Sequence, residues 1–249
     1  MKRARLEVIH QDDDIVVVNK PSGLLSIPDR WDKNLPNVRT MMAERFGEAF
    51  IVHRLDKETS GVMVFARNAE AHKHLSEQFE HRTADKIYHA VVDGIVSKDE
   101  FPIDIPLTHD SRRKGLMRPS ARGKESLTEV TVLQRFRTAS LLQCTIRTGR
   151  THQIRVHCSA VGHPLLVDSD YGKHNEFMLS SIKRRYNVAK GDEERPIIDR
   201  LTLHSHTISL DHPTTGERVT YSADYPRDFA ALIQVLTKYS APYTSKFDF

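Results

Sequence analysis

Nine consecutive residues, His53-Arg54-Leu55-Asp56-Lys57-Glu58-Thr59-Ser60-Gly61, set an imidazole, a guanidinium and a carboxylate just ahead of a Thr-Ser-Gly turn. An aspartate with the usual pKa of about 3.9 is ionised at neutral pH and can act as nucleophile or base. In a closed pocket such a carboxylate needs a cationic partner, because an unpaired buried charge is costly. Three other stretches stand out by residue type: Asn19-Lys20-Pro21-Ser22-Gly23-Leu24, Lys86-Ile87-Tyr88, and Thr148-Gly149-Arg150-Thr151-His152-Gln153-Ile154-Arg155-Val156-His157. A phenol such as Tyr88 offers both an aromatic face and a hydroxyl for proton transfer. Taken singly, each of these residues has an ordinary structural reading as a turn residue, a half-buried strand tyrosine or a surface charge.

Apolar runs flank the nine residues, Ile51-Val52 before and Val62 to Ala66 after. They predict a charged loop between two core strands, where a rigid scaffold displays reactive side chains. Upstream, Leu6 to Ile9 and the β-branched Ile15 to Val18 predict strands, the second closed by the Asn19 to Gly23 turn. Asn37 to Phe46 has helical spacing. Asn68 is a fitting N-cap for a helix carrying Ala71, Leu75 and Phe79. Further strands are predicted over Lys86 to Val92, Thr128 to Phe136 and Ser140 to Ile146, then a helix capped by Thr151 and running to about Val161. A closing hairpin (Leu201 to Leu210 and Arg218 to Tyr221) precedes an amphipathic helix from Asp228 to Tyr239. Strands joined mainly by short turns predict an α+β fold around a mixed, largely antiparallel central sheet flanked by helices and loops.

With 249 residues, 39% of them hydrophobic and 28% charged, the chain suits a globular protein, read here as one domain over residues 1–249. Its net charge of +4 is unevenly spread. Residues 111–124 hold Arg112, Arg113, Lys114, Arg118, Arg122 and Lys124 and lack periodicity, which predicts a long exposed loop of functional kind. Arg147, Arg150 and Arg155 follow, with His152 and His157 among them. Clusters of this sort suit a polyanion. Residues 173–199 read as an insertion, with a helix from Met178 to Ala189 that carries Lys183, Arg184 and Arg185. Cys144 and Cys158 lack zinc spacing and read as small buried residues in a reducing compartment. No signal peptide, membrane span, Gly-rich phosphate loop or metal-ligand cluster is legible, and the chain is expected to be cytoplasmic and monomeric.

Together the four stretches resemble the RluA-type pseudouridine synthases, and the resemblance runs in order through Gly162-His163-Pro164-Leu165, Asp170-Tyr171-Gly172, Arg200-Leu201-Thr202-Leu203-His204 and the His212-Pro213 hairpin. The resemblance implies the pseudouridine synthase catalytic fold and isomerisation of uridine within ribosomal or transfer RNA stem-loops. The bond from ribose to uracil nitrogen 1 breaks and is remade to carbon 5, without cofactor, nucleotide or metal. It implies Asp56 as the catalytic carboxylate, Arg150 as its cationic partner and Tyr88 as the active-site tyrosine that stacks on the base. Arg54 would enter the RNA stack as the uridine leaves. Lys20 would shape the site, and His152 and Gln153 would make structural or phosphate contacts.

Some positions depart from that pattern. Val167 stands where glycine is expected, Ser126 and Ser205 where alanine is usual, and Ile146 where leucine is common. The separate N-terminal RNA-binding module of many relatives is also not expected, since only about ten residues precede the first shared strand. Target recognition then falls to the catalytic domain and to Arg112, Arg113 and Arg118. Two other classes remain open: a catalytically silent RNA-binding or ribosome-assembly factor, and a nucleoside or glycoside hydrolase. The hydrolase would need a second carboxylate, for which Glu58 is the only neighbour.

Overall fold

The computed structural model describes residues 6–183, 186 and 193–242. In chain order the elements are β1 (Glu7–Gln11), β2 (Ile15–Lys20), α1 (Val38–Phe46), β3 (Phe50–Ile51) and β4 (Ser60–Ala66). Next come α2 (Ala69–His81), β5 (Asp85–Asp93), β6 (Glu100–Asp104), β7 (Leu107–His109) and β8 (Met117–Pro119). The chain continues through β9 (Leu127–Arg135), β10 (Ala139–Ile146), α3 (Gln153–Ala160), β11 (Leu203–Asp211), β12 (Arg218–Ser222) and α4 (Arg227–Tyr239). The fold is the expected α+β type, mixed and largely antiparallel. Among the described residues no helix is long and apolar enough to cross a membrane.

Two compact units share the chain. One comprises Met1–Tyr88, Thr145–Thr151 and Leu203–Tyr225; the other comprises His89–Cys144, His152–Thr202 and Pro226–Phe249. In the first unit β2 pairs antiparallel with β1 and β4, and β11 pairs parallel with β4 and antiparallel with β12. Ile15, Val17, Val62, Val64, Ile208 and Leu210 bury one face against Ala71 and Leu75 of α2. The Asn68 side chain caps that helix by accepting from Ala71 N at 2.8 Å, and Asn37 caps α1 through Thr40 N at 2.9 Å. Both caps satisfy amides that a first helical turn leaves without partners.

In the second unit β6 pairs antiparallel with β9, and β7 with β8. The basic stretch is therefore not a structureless loop. Met117 of β8 is buried with Leu107 and Val156, while Arg112, Arg113, Lys114, Arg118, Arg122 and Lys124 stay exposed or nearly so. Met117 thus anchors the three-residue strand β8, and Arg118 and Pro119 beside it are exposed. Helix α3 also begins differently from expectation: its N-cap is His152, in the left-handed region at φ 55, with no side-chain cap bond. Among the described residues of the 173–199 segment a 3-10 turn, Leu179–Ser181, stands at the start of the expected helix, and Arg184, Arg185 and the helix's expected end at 187–189 lie outside the described residues. Cys144 and Cys158 are both buried free thiols, as expected.

The parallel pairing of β4 and β11 sets Ser60 beside His204 and Gly61 beside Ser205. A Cβ at position 61 would lie 2.1 Å from the Ser205 carbonyl oxygen, and Gly61 has φ +118. Both facts exclude a side chain there. Gly61→Ala is expected to destabilise the fold by about 3 kcal/mol or more, because backbone must move on a central strand. A urea unfolding midpoint close to that of the parent would contradict this.

Candidate active site

The first unit contains Lys20, Arg54, Asp56, Tyr88 and Arg150; the second contains His152, Gln153, Arg112, Arg113 and Arg118. The loop holding Asp56 is clasped by the β2–α1 connection. Lys20, fully buried, donates from Nζ to the carbonyls of Pro21 (2.9 Å) and Lys57 (2.8 Å). Gly23 N donates to Lys57 O at 3.0 Å, and Ser22 Oγ to Glu58 O at 2.7 Å. Ser26 Oγ donates to Leu55 O (2.7 Å) and accepts from Leu55 N (3.0 Å). Thr59 N closes the turn on Asp56 O at 3.1 Å. Backbone on both sides of Asp56 is thus fixed, which holds a half-buried carboxylate in place. Arg54 projects as an exposed residue from the same loop.

Tyr88 is buried on β5 and feels the charge of Asp56. Burial raises its pKa well above the usual phenol value; a hydrogen bond with Ser205 opposes this and Asp56 reinforces it. Ser205 Oγ donates to Val62 O at 3.2 Å and also shares a hydrogen bond with the Tyr88 hydroxyl. The phenol is neutral, and its oxygen is tied to the β4–β11 side. In the sequence Ser205 shows only as a departure from alanine. Its partners lie far away in the chain, so no local signal reveals the contact. The Thr59 hydroxyl, 2% exposed, has no hydrogen-bond partner among the described residues.

His53, first of the nine residues, serves structure. Its Nε2 accepts from Val64 N at 3.0 Å, which requires the proton on Nδ1, and its ring stacks on Phe79 at 4.9 Å. Burial, and then the charge of Lys86, push its pKa down to about 3. Lys86 Nζ lies 5.4 Å from the centroid of the same Phe79 ring and donates to Arg147 O at 3.4 Å, at the root of the turn bearing Arg150. Burial lowers the Lys86 pKa as well. Arg150 itself is half-buried.

In the second unit the stretch from His152 to His157 is largely a packing device, so the expected polyanion face loses two members. Arg155 is buried and forks onto Asp168 at 2.8 and 2.6 Å, reaches Asp170 at 2.6 Å, and lies 4.9 Å over the Tyr171 ring. His157 is buried beside Thr128 (2.9 Å) and Ile105 O (2.9 Å). Gln153 donates to Leu127 O and Thr128 Oγ1, and His152 Nδ1 meets Tyr171 Oη at 2.8 Å. Arg113 donates to Asp170 O at 2.8 Å. These bonds explain why Asp170-Tyr171-Gly172 accompanies the arginine motif: Gly172 has no room for a Cβ, which would lie 2.6 Å from Asp168 O.

Residues 14–160 match the family model described as RNA pseudouridylate synthase. The chain belongs to this family. It is 37% identical over 237 residues to the ribosomal large subunit pseudouridine synthase D of Neisseria meningitidis serogroup B, covering 93% of this chain and 61% of that relative. It is 38% identical over 213 residues to the dual-specificity RNA pseudouridine synthase of Vibrio vulnificus, covering 83% of this chain and 78% of that relative. Among solved structures, human RNA pseudouridylate synthase domain containing 4 superposes with a TM-score of 0.70 at 26% identity, covering 93% of each chain. Pseudouridine synthases are isomerases, and the arrangement around Asp56 suits one: a carboxylate on a fixed loop within electrostatic reach of a buried phenol. A hydrolase would need a second acid, yet the Glu58 carboxylate is exposed and faces Ser22 Oγ (3.2 Å) and Lys57 Nζ (3.9 Å).

The neutral His53 makes stability depend on pH. Between about pH 6.5 and 3 the unfolded chain binds a proton at His53 and the folded chain does not, so this contribution is complete above 6.5 and is lost as pH falls. The urea midpoint of His53→Gln is expected to fall less steeply than the parent's through that window. Parallel pH profiles for the two proteins would remove His53 from the account.

Proposed function

We propose that this chain isomerises specific uridines of structured RNA, in ribosomal RNA or a transfer RNA stem-loop, with Asp56 as the catalytic carboxylate. It would act in the cytoplasm, as a monomer and as one catalytic domain. The observation that carries this reading is the Asp56 loop, held through the carbonyls of Leu55 and Lys57 and placed within electrostatic reach of the buried Tyr88. Immobilising a carboxylate and a phenol together before substrate arrives lowers the cost of reaching a reactive geometry. In this reading Arg150 pairs with Asp56, and Tyr88 gives its ring face to the uracil and handles the proton at carbon 5. Loss of that proton balances the gain of one at nitrogen 1. Arg54, exposed on the same loop, fills the space vacated in the RNA stack, offsetting an extrusion cost of a few kcal/mol.

Lys20 acts through the loop rather than on the base. Arg112, Arg113 and Arg118 contact phosphates of the target, and His152 and Gln153 make structural or phosphate contacts. The similarity to a ribosomal large subunit synthase supports ribosomal RNA as one target, and the similarity to a synthase of dual specificity supports more than one.

Release of tritium from RNA labelled at uracil carbon 5 tests the chemistry. The wild-type chain should release tritium and leave the RNA intact; a silent binding factor would release none, and a hydrolase would free uracil. Asp56→Asn should abolish release while RNA affinity stays within about twofold, and substantial turnover by that variant would sink the assignment. Replacing Arg112, Arg113 and Arg118 together with Ser should weaken RNA binding. The slope of log affinity against log salt should drop by about one unit for each phosphate that is no longer neutralised. An unchanged slope would remove these arginines from the interface.

A further inference from the structure

Trp31 is the only tryptophan of the chain, and it is 86% exposed. A large indole left in water is an unusual use of the residue, since its area contributes to stability only when covered. The segment around it is not slack. Asp29 accepts from the amides of Trp31 (2.8 Å) and Asp32 (3.0 Å), and Asp32 accepts from Asn34 N (3.0 Å). The two ends of the segment meet: Val38 N donates to Leu25 O at 2.8 Å, and Arg39 N to Ser26 O at 3.2 Å. Residues 26–38 are thus a closed surface loop with an ordered tip, a form that often carries function. The indole stands at that tip in the run Asp29-Arg30-Trp31-Asp32-Lys33, where both aspartates accept from backbone amides and the cations Arg30 and Lys33 are exposed.

The root of the loop is tied to the chemistry. Ser26 is the residue that holds both backbone groups of Leu55, next to Asp56. Trp31 lies five residues further on, at most about 17 Å of extended chain. That distance corresponds to a few nucleotides of unpaired strand. An exposed aromatic face with two exposed cations close by, their neighbouring aspartates turned onto backbone amides, matches the chemistry of such a strand, in which bases stack on rings and phosphates meet Lys or Arg. A protein partner fits less well, because protein hot spots sit at the centre of an apolar patch. Here the immediate neighbours are charged.

We propose that Trp31 is a stacking platform for an unpaired base flanking the target uridine, with Arg30 and Lys33 bearing on the adjoining phosphates. This rests on the reading of the chain as an enzyme acting on RNA, and it narrows the substrate to RNA with accessible, unstacked nucleotides beside the modified position.

Because the indole is unique, its fluorescence reports on this one site. The full chain is titrated with a stem-loop oligonucleotide carrying uridines in its loop, and with a fully paired duplex of the same composition. Stem-loop binding, followed separately by anisotropy of labelled RNA, should quench Trp31 emission with the same midpoint; the duplex should quench little. Trp31→Ala should weaken stem-loop binding by about five- to a hundredfold without changing the salt slope. Trp31→Phe should keep most of the affinity. Binding without quenching, or a Trp31→Ala affinity within about twofold of the parent, overturns the proposal. So does a blue shift that follows protein concentration and not RNA, which would assign Trp31 to self-association. Tritium release by the parent separates the two levels: turnover with an unaffected Trp31→Ala sinks only the platform, whereas a parent that neither binds nor turns over RNA sinks the enzymatic reading beneath it.

Discussion

The contact on which the site depends is the one that leaves no room for a side chain, where Gly61 meets the Ser205 backbone. Because β4 and β11 approach that closely in parallel, Ser60 Oγ reaches His204 Nδ1 at 3.0 Å, and His204 Nε2 reaches Ala223 O at 3.0 Å. The same register brings Ser205 Oγ to Val62 O and to the Tyr88 hydroxyl. One backbone approach therefore determines which hydroxyl the phenol meets and where the strand after the Asp56 loop begins. Hydrogen bonds of this kind are worth only about 1 kcal/mol each, but an unmet buried donor costs more, so the set holds together or fails together.

Much of this arrangement is legible in the chain, for reasons that differ by element. The β-branched run Ile15 to Val18 and the apolar run Val62 to Ala66 are buried along their length, and continuous hydrophobicity is the signature of such strands. Asn68 marks the start of α2 because a cap is a local interaction between residues three apart. The nine-residue loop stands out by composition. Less is visible where the deciding partner lies far off in sequence. The burial of Arg155 depends on Asp168 and Asp170, and that of His157 on Thr128 and Ile105, so charge clustering alone places both on a surface they do not occupy. Strands β6, β7 and β8 are hard to see because they are short, and because Pro102 and the arginines mask them.

The basic residues consequently divide into three kinds. Arg155 and Lys20 are structural and bind oxygens inside the protein. Lys86 and Arg147 brace the turn beneath Arg150, the latter through an ion pair with Asp85 at 3.8 Å. Arg112, Arg118, Arg122 and Lys124 stand at the surface, where pairing with internal carboxylates is weak and their charge is available to a polyanion. A net charge of +4 conceals this division.

Strand β6 carries one more consequence. Among the described residues it is bonded on one side, to β9, with Pro102 opposite Glu129 in the middle of its five residues. A proline has no amide hydrogen, so the row of donors along this strand is broken at its centre. A second molecule trying to extend the sheet would find neither a continuous ladder nor a neutral margin, since Glu100 and Asp104 stand at its two ends. The strand is thereby guarded against polymerisation by the same residue that hides it from view.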